Sequence, residues 1–163
     1  MALIIRQAGP DDEKVVVDFN CRLAAETEGK QLDRLTVQLG VRAILANPRH
    51  GRYFVACLDG RVVGQMMHTF EWSDWRNGEI WWLQSVYVHP DFRRQGVFRR
   101  LIQHLQAEAA ASPNIAGLRL YVEEHNTAAQ ATYERLGLTA AGYVVMESLK
   151  TKLSTNGELN RTA

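Results

Sequence analysis

Val86-Tyr87-Val88-His89-Pro90-Asp91-Phe92-Arg93-Arg94-Gln95-Gly96-Val97-Phe98 carries an apolar strand into a turn and then into a basic, glycine-containing helix start. That order builds an anion site. The first N–H groups of a helix have no partner inside the helix and carry partial positive charge, so a phosphate set there collects several hydrogen bonds. Gly96 allows close approach, and Arg93, Arg94 and Arg99 or Arg100 can pair with phosphate oxygens. The competing reading is an ordinary helix start with a solvated basic face, because short glycine motifs arise often by chance.

Upstream of this stretch, Glu79 to Val88 is aromatic and β-branched with little polar alternation, the pattern of a mid-sheet strand covered on both faces. Before it, Tyr53 to Leu58 and Arg61 to Phe70 flank Asp59-Gly60, a pair that tolerates the positive φ of a tight antiparallel turn. Trp72 to Gly78 reads as a loop. At the start of the chain, Leu3 to Gln7 predicts a short strand, and Gly9-Pro10-Asp11-Asp12 opens a helix to about Thr27 with Val15, Val16, Phe19, Leu23 and Ala24 on its apolar face. A second helix runs from Asp33 to Ala46, with Leu35, Leu39, Ala43 and Ile44 about a turn apart, and Asn47-Pro48 ends it.

Downstream, Val97, Leu101, Ile102, Leu105 and Ala109 mark a helix from Gly96 to Ala111. Leu118 to Val122 predicts another buried strand, Thr127 to Leu136 a short helix closed by Gly137, and Gly142 to Leu149 a last strand. The reading is one α/β domain over residues 1–150, followed by a polar, flexible tail over 151–163.

A hydrophobic fraction of 46% in 163 residues supplies a core for one domain. The formal charge of +1, from 19 basic and 18 acidic residues, gives no global field to recruit nucleic acid or an anionic membrane. Met1 to Arg6 is too short an apolar stretch for a secretory signal, and no apolar run approaches the roughly 20 residues that cross a bilayer. A soluble cytoplasmic protein is expected. Cys21 and Cys57 lack CxxC spacing, and His50, His68, His89, His104 and His125 share no metal-ligand spacing, so neither a disulfide framework nor a metal is expected. Ser85 has no GxSxG elbow around it, and no Walker Lys-Ser/Thr follows Gly96, which disfavours a covalent hydrolase and a P-loop nucleotide binder.

Some 30 residues past Gly96, Glu123-Glu124-His125-Asn126-Thr127-Ala128-Ala129-Gln130-Ala131-Thr132-Tyr133-Glu134-Arg135-Leu136-Gly137-Leu138 adds a second signature. Together the two segments resemble the GNAT acetyltransferase superfamily. Its first motif, Arg/Gln-x-x-Gly-x-Gly/Ala after a strand ending in Val-x-Pro, is matched by Val88, Pro90, Arg93 and Gly96; its second by Asn126, Ala129, Tyr133 and Gly137. Phe98 stands where the family has Gly or Ala, so its ring is expected to turn into the core. Leu138 replaces a Phe.

The resemblance implies a mixed, mostly antiparallel central sheet of six to seven strands flanked by about four helices. It also implies acetyl-CoA as co-substrate. Main-chain groups of Val86, Tyr87 and Val88 would pair with the pantetheine arm, and Arg93, Arg94, Gln95, Gly96, Val97, Phe98 and Arg99 would hold the pyrophosphate. Asn126 and Ala129 would meet the pantetheine, and Tyr133 would reach the sulfur. Relatives commonly dimerise through their last strands, which makes a homodimer the expected assembly.

Transfer of an acetyl group from a thioester to an amine needs an acid for the departing sulfur and a way to deprotonate the amine. Tyr133 is the candidate acid, since a phenol of pKa about 10 keeps its proton at neutral pH. Where many relatives carry carboxylates on the central strand, this chain has Gln84-Ser85, and Gln84 can only orient a water or hold substrate. The base stays unassigned among Glu79, Glu71, Asp74 and Glu123. Glu71, Trp72, Asp74, Trp75 and Glu123 are the candidate acceptor contacts, resembling the aromatic-rich loop of the diamine acetyltransferase branch, although the missing carboxylates argue against a simple polyamine site. The expected function is an N-acetyltransferase acting on a primary amine of a small molecule such as a polyamine or amino acid. The alternatives are a peptide or protein amino-group acetyltransferase and a non-catalytic acyl-CoA-binding or regulatory module.

Overall fold

Alternation of side chains organises the sheet. In β2 (Arg52–Leu58), Phe54 and Ala56 enter one apolar cluster and Tyr53 and Val55 the other, so the strand is covered on both faces. The computed structural model describes residues 2–150; the tail expected from Thr151 to Ala163 lies outside the described residues. Five strands lie in chain order, β1 (Leu3–Gln7), β2, β3 (Arg61–Ser73), β4 (Gly78–Val88) and β5 (Ile115–Leu120). The first three interfaces are antiparallel and β4–β5 is parallel. A parallel neighbour needs a crossover, and α3 (Val97–Ala111) supplies it.

The expected mixed, mostly antiparallel fold is therefore present, with the hairpin turned at Asp59-Gly60 and β4 inside the sheet. On one face, Val97, Leu101, Ile102 and Leu105 of α3 pack on Phe54, Met66, Trp81 and Leu83. On the other, Val16 and Val17 of α1 (Glu13–Glu28) and Val41 of α2 (Arg34–Ala46) pack on Tyr53, Val55 and Met67. The short α4 (Thr127–Arg135) sends Tyr133 against the α3 cluster. Each fully buried aliphatic side chain contributes about 1.5–3 kcal/mol from apolar burial.

The sheet corrects two expectations. Among the described residues it has five strands rather than six to seven, and Gly142–Leu149 forms none; Tyr143, Val144, Val145, Met146 and Leu149 are exposed. Their β-branched, aromatic sequence has strand propensity, but without a ladder partner propensity does not make a strand. The strand expected at Leu118–Val122 begins and ends earlier, and it is half-buried because, with nothing among the described residues paired beyond it, β5 is the sheet edge.

Two close-packed points stand out on the α3 face of the sheet. At Gly64 on β3, an added Cβ would stand 3.0 Å from Val97 Cγ1 and 3.2 Å from the Tyr87 carbonyl oxygen. His68, fully buried, lies among the rings of Trp81 (4.4 Å), Phe70 (5.1 Å) and Phe54 (6.0 Å) and accepts a hydrogen bond from Arg52 Nε at 3.2 Å. Burial, then the charge of Arg52, pushes its pKa down to about 4.

Gly64→Ala is expected to cost about 1–3 kcal/mol of stability by overpacking, read by urea denaturation. His68 is held neutral in the folded chain and titrates near 6.5 when unfolded. Its contribution is thus complete above about pH 6.5 and is lost toward pH 4, with a limiting slope of about 1.4 kcal/mol per pH unit. The difference in stability between the native chain and His68→Gln, followed across that window, should carry this slope; a flat difference would contradict it.

Candidate active site

At Ser85 the central strand inverts. Ser85 takes φ +50, and the β3–β4 register slips between Gln65↔Tyr87 and Met67↔Gln84, so Ser85 and Val86 together oppose one residue of β3. A non-glycine residue in that region costs about 1–2 kcal/mol. Gln65 Nε2 donates to the Ser85 carbonyl at 3.2 Å and to Asn20 Oδ1 at 2.7 Å, while Asn20 Nδ2 donates to Tyr53 Oη at 2.9 Å. A buried polar string from α1 thereby supports the bulge.

The bulge opens a fork. Pairing of β4 with β5 stops at Leu83↔Leu120, so Gln84 to Val88 runs on with no β5 partner along that edge. Beyond Val88 the chain turns through Pro90–Phe92 and enters α3. Gly96, the N-cap, takes φ +83, and among the described residues a Cβ there would meet nothing within 4 Å and no side chain caps the helix. By contrast, Asp33 accepts from Thr36 N–H at the start of α2, and Asn126 from Ala129 N–H at 3.1 Å at the start of α4. The fork thus leads from an unpaired strand edge to open N–H donors.

Several expected contacts fall along this path, with changes in what they touch. Val86, Tyr87 and Val88 line the fork, and Arg94, Gln95, Gly96, Val97 and Arg99 follow at the helix start. Arg93 is engaged elsewhere: its Nε donates to the Val88 carbonyl at 2.9 Å and its Nη2 to Glu26 at 2.5 Å. Arg100 reaches the Leu3 carbonyl on β1. Phe98 does turn inward, half-buried, with its ring centre 5.4 Å from that of Tyr133 in an edge-to-face arrangement. Burial alone raises the Tyr133 phenol, which keeps it protonated at neutral pH. Asn126 spends its oxygen on the helix cap, leaving its amide nitrogen as donor. Gln84 donates to Thr69 Oγ1 at 2.7 Å.

The acceptor candidates divide. Glu71 lies on the same sheet face as Gln84 and accepts from Trp82 Nε1 and, at 3.2 Å, from Arg119 Nη1. Glu123 stands in the exposed segment just past β5 and accepts from His125 N–H. Trp72, Asp74 and Trp75 sit at the tip of the β3–β4 hairpin, and Glu79 at the start of β4, about 20 Å of strand from the bulge. The structure does not bring these four to the fork.

Sequence reasoning missed Glu26. Its carboxylate accepts from Tyr87 Oη at 2.6 Å and from Arg93, and these bonds, the tyrosine's first, hold its pKa below the usual range. One signal existed: Glu26 stands at helical spacing from Val16, Phe19 and Leu23 on α1, at the half-exposed end of their stripe. Asn20 and Gln65 are likewise polar residues on apolar stripes.

Three comparisons bear on this arrangement. The family model for acetyltransferases (GNAT) matches residues 19–138. A solved structure of a possible acetyltransferase from Clostridium difficile 630 is 43% identical, with TM-score 0.87 over 93% of this chain and 99% of that one. Thialysine N-epsilon-acetyltransferase of Bos taurus is 36% identical over 76 residues, 47% of this chain and 44% of that protein. [Ribosomal protein bS18]-alanine N-acetyltransferase of Escherichia coli (strain K12) is 42% identical over 59 residues, 36% and 39% of the two chains. The matched stretch thus spans less than half the length of these curated relatives.

Glu26→Ala removes the acceptor shared by Tyr87 and Arg93 and strands a nearly buried phenol. A loss of about 1–3 kcal/mol is expected in urea denaturation, together with faster amide exchange over Val88 to Gln95. No change in either would show that Glu26 does not hold the turn.

Proposed function

The chain belongs to the GNAT acetyltransferase family, and from that membership we propose that it moves an acetyl group from acetyl-CoA to a primary amine of a small molecule. The observation that carries this reading is the fork at Ser85, which opens onto the uncapped start of α3. An extended thioester arm fits the unpaired edge of Val86 to Val88. A diphosphate fits the N–H donors from Gly96 to Arg99, with Arg94 and Arg99 as counter-charges. Arg93 instead fixes the turn by tying it to Glu26.

In this reaction the acceptor ammonium first gives one proton to solvent, the neutral nitrogen then attacks the thioester carbonyl carbon, and the C–S bond breaks as the tetrahedral adduct collapses. The nitrogen loses a second proton to solvent through an ordered water, and the leaving sulfur takes the phenol proton of Tyr133, which solvent restores. Raising the phenol by burial favours the protonated acid. No carboxylate is assigned as base: Glu26 is charge-paired and held low, both Glu71 oxygens accept from Trp82 and Arg119, Glu123 accepts from His125 N–H, and Asp74 and Glu79 lie at the far end of the hairpin. Gln84 therefore positions a water or the acceptor.

The acceptor is a small molecule in this reading, since the open face beside the fork offers Glu71, Trp82 and Arg119 within a few residues of the bulge. The curated relative that acts on thialysine is in line with it; the one that acts on a ribosomal protein alanine represents the protein-acceptor alternative. Dimerisation and a cytoplasmic setting belong to the same proposal. The edge of β5, unpaired among the described residues, and the exposed apolar side chains of Tyr143, Val144, Val145, Met146 and Leu149 supply a surface for a second copy, and the free cysteines suit a reducing compartment. Among the described residues no helix is long and apolar enough to cross a membrane.

Tyr133→Phe should lower kcat about 100-fold or more while calorimetry finds acetyl-CoA bound within a few-fold of its original affinity. Thiol release across diamines, amino acids, aminoglycosides and peptide amines reads the activity. Absence of any turnover with acetyl-CoA still bound would favour a binding module, and no binding of acetyl-CoA or CoA would sink both.

A further inference from the structure

We infer that Arg119 seats a carboxylate of the acceptor, so that the amine acetylated belongs to an amino acid in which several bonds separate the two groups. This rests on the transferase reading above and specifies its acceptor. Arg119 lies on β5 directly beside Trp82, and Leu83↔Leu120, the next paired level, is the last before the strands part. Trp82, Gln84 and Arg119 share one sheet face with Glu71, the face opposite the α3 cluster.

The guanidinium is fixed before any ligand arrives. Its Nη1 donates to Glu71 Oε1 at 3.2 Å, and it stands 5.9 Å from the ring centres of both Trp82 and Tyr143. Trp82 is held in turn by its indole N–H on the other Glu71 oxygen and by the ring of Tyr121 at 4.5 Å. The Arg119 side chain is 25% exposed, neither buried nor fully solvated. A guanidinium has more N–H donors than one carboxylate contact uses, and its planar fork matches a second carboxylate. A preorganised, partly desolvated arginine loses little freedom when it binds. Glu71, with both oxygens engaged, acts as the positioning residue that aims it.

Distance sets the length of the acceptor. From the level of Arg119 and Trp82 to the bulge at Ser85 is about 10 Å along β4. A carboxylate held at Arg119 leaves a terminal amine, as at the end of a lysine-like chain, to approach the fork, whereas the α-amine of the same molecule falls short. A diamine of equal length gains nothing from Arg119 and meets a positive charge instead.

The test compares 6-aminohexanoate and L-lysine with 1,5-diaminopentane and pentylamine, using acetyl-CoA and the full chain. The native protein should prefer the acids in kcat/KM. In Arg119→Gln the ratio of acid to decarboxylated amine should fall roughly 10- to 100-fold, mainly through KM. Arg119→Lys, which keeps the charge and the pairing with Glu71, should fall several-fold and serves if the glutamine variant does not fold. A ratio that stays constant while both amines decline together would overturn the carboxylate seat and leave the transferase intact. Calorimetric binding of 6-aminohexanoate that needs Arg119, without turnover of any amine, would keep the seat and sink the transferase. No preference in the native protein and no such binding would overturn the inference.

Discussion

At Ser85 the backbone of the central strand takes a positive φ inside the sheet, and the working half of the molecule follows from it. Without that extra residue, β4 would continue beside β5, and the edge of Val86 to Val88 would be consumed in ladder bonds. The bulge re-aims the strand, the fork opens, and the chain leaves the sheet toward the start of α3. The cost of the inverted residue is offset by the Gln65 amide on its carbonyl and by the chain of contacts back through Asn20 to Tyr53.

Charge is organised locally rather than globally. Arg6, Arg42, Arg93 and Arg119 each meet a carboxylate, whereas Arg94 and Arg99 form no ion pair among the described residues. Two cations without an ion pair among the described residues thus flank the start of α3, beside backbone donors that no described side chain caps. A chain with almost no net charge can hold an anion in this way, because in water the field is screened within about 10 Å and only neighbouring groups matter.

Much of the fold was legible because its signals are local. The Asp59-Gly60 turn, the apolar run of Glu79 to Val88 and the helical spacing of Val97 to Leu105 each specify an element without reference to the rest of the chain. The motif residues around Gly96 and Tyr133 were legible through family resemblance as well. What escaped was tertiary: Glu26, Asn20, Gln65 and Arg119 are polar residues whose partners lie far away in sequence, and nothing at their own positions names those partners. The last strand failed for the same reason in reverse. Tyr143 to Leu149 has strand propensity, but a strand exists only where another edge accepts its hydrogen bonds.

The strand order carries a further consequence for how the molecule assembles. Strands β2, β3 and β4 form a meander of sequence neighbours closed by short turns, so their contacts can form with little loop-closure entropy. The parallel pairing with β5 must wait for α3 to be made and docked. The rigid wall of the fork is thus the early part of the fold and its outer wall the late one. Transient opening of β5 and α4 would dismantle the cleft while leaving the meander standing, so the loss of a working cleft and the loss of the folded sheet are separable events with different free energies.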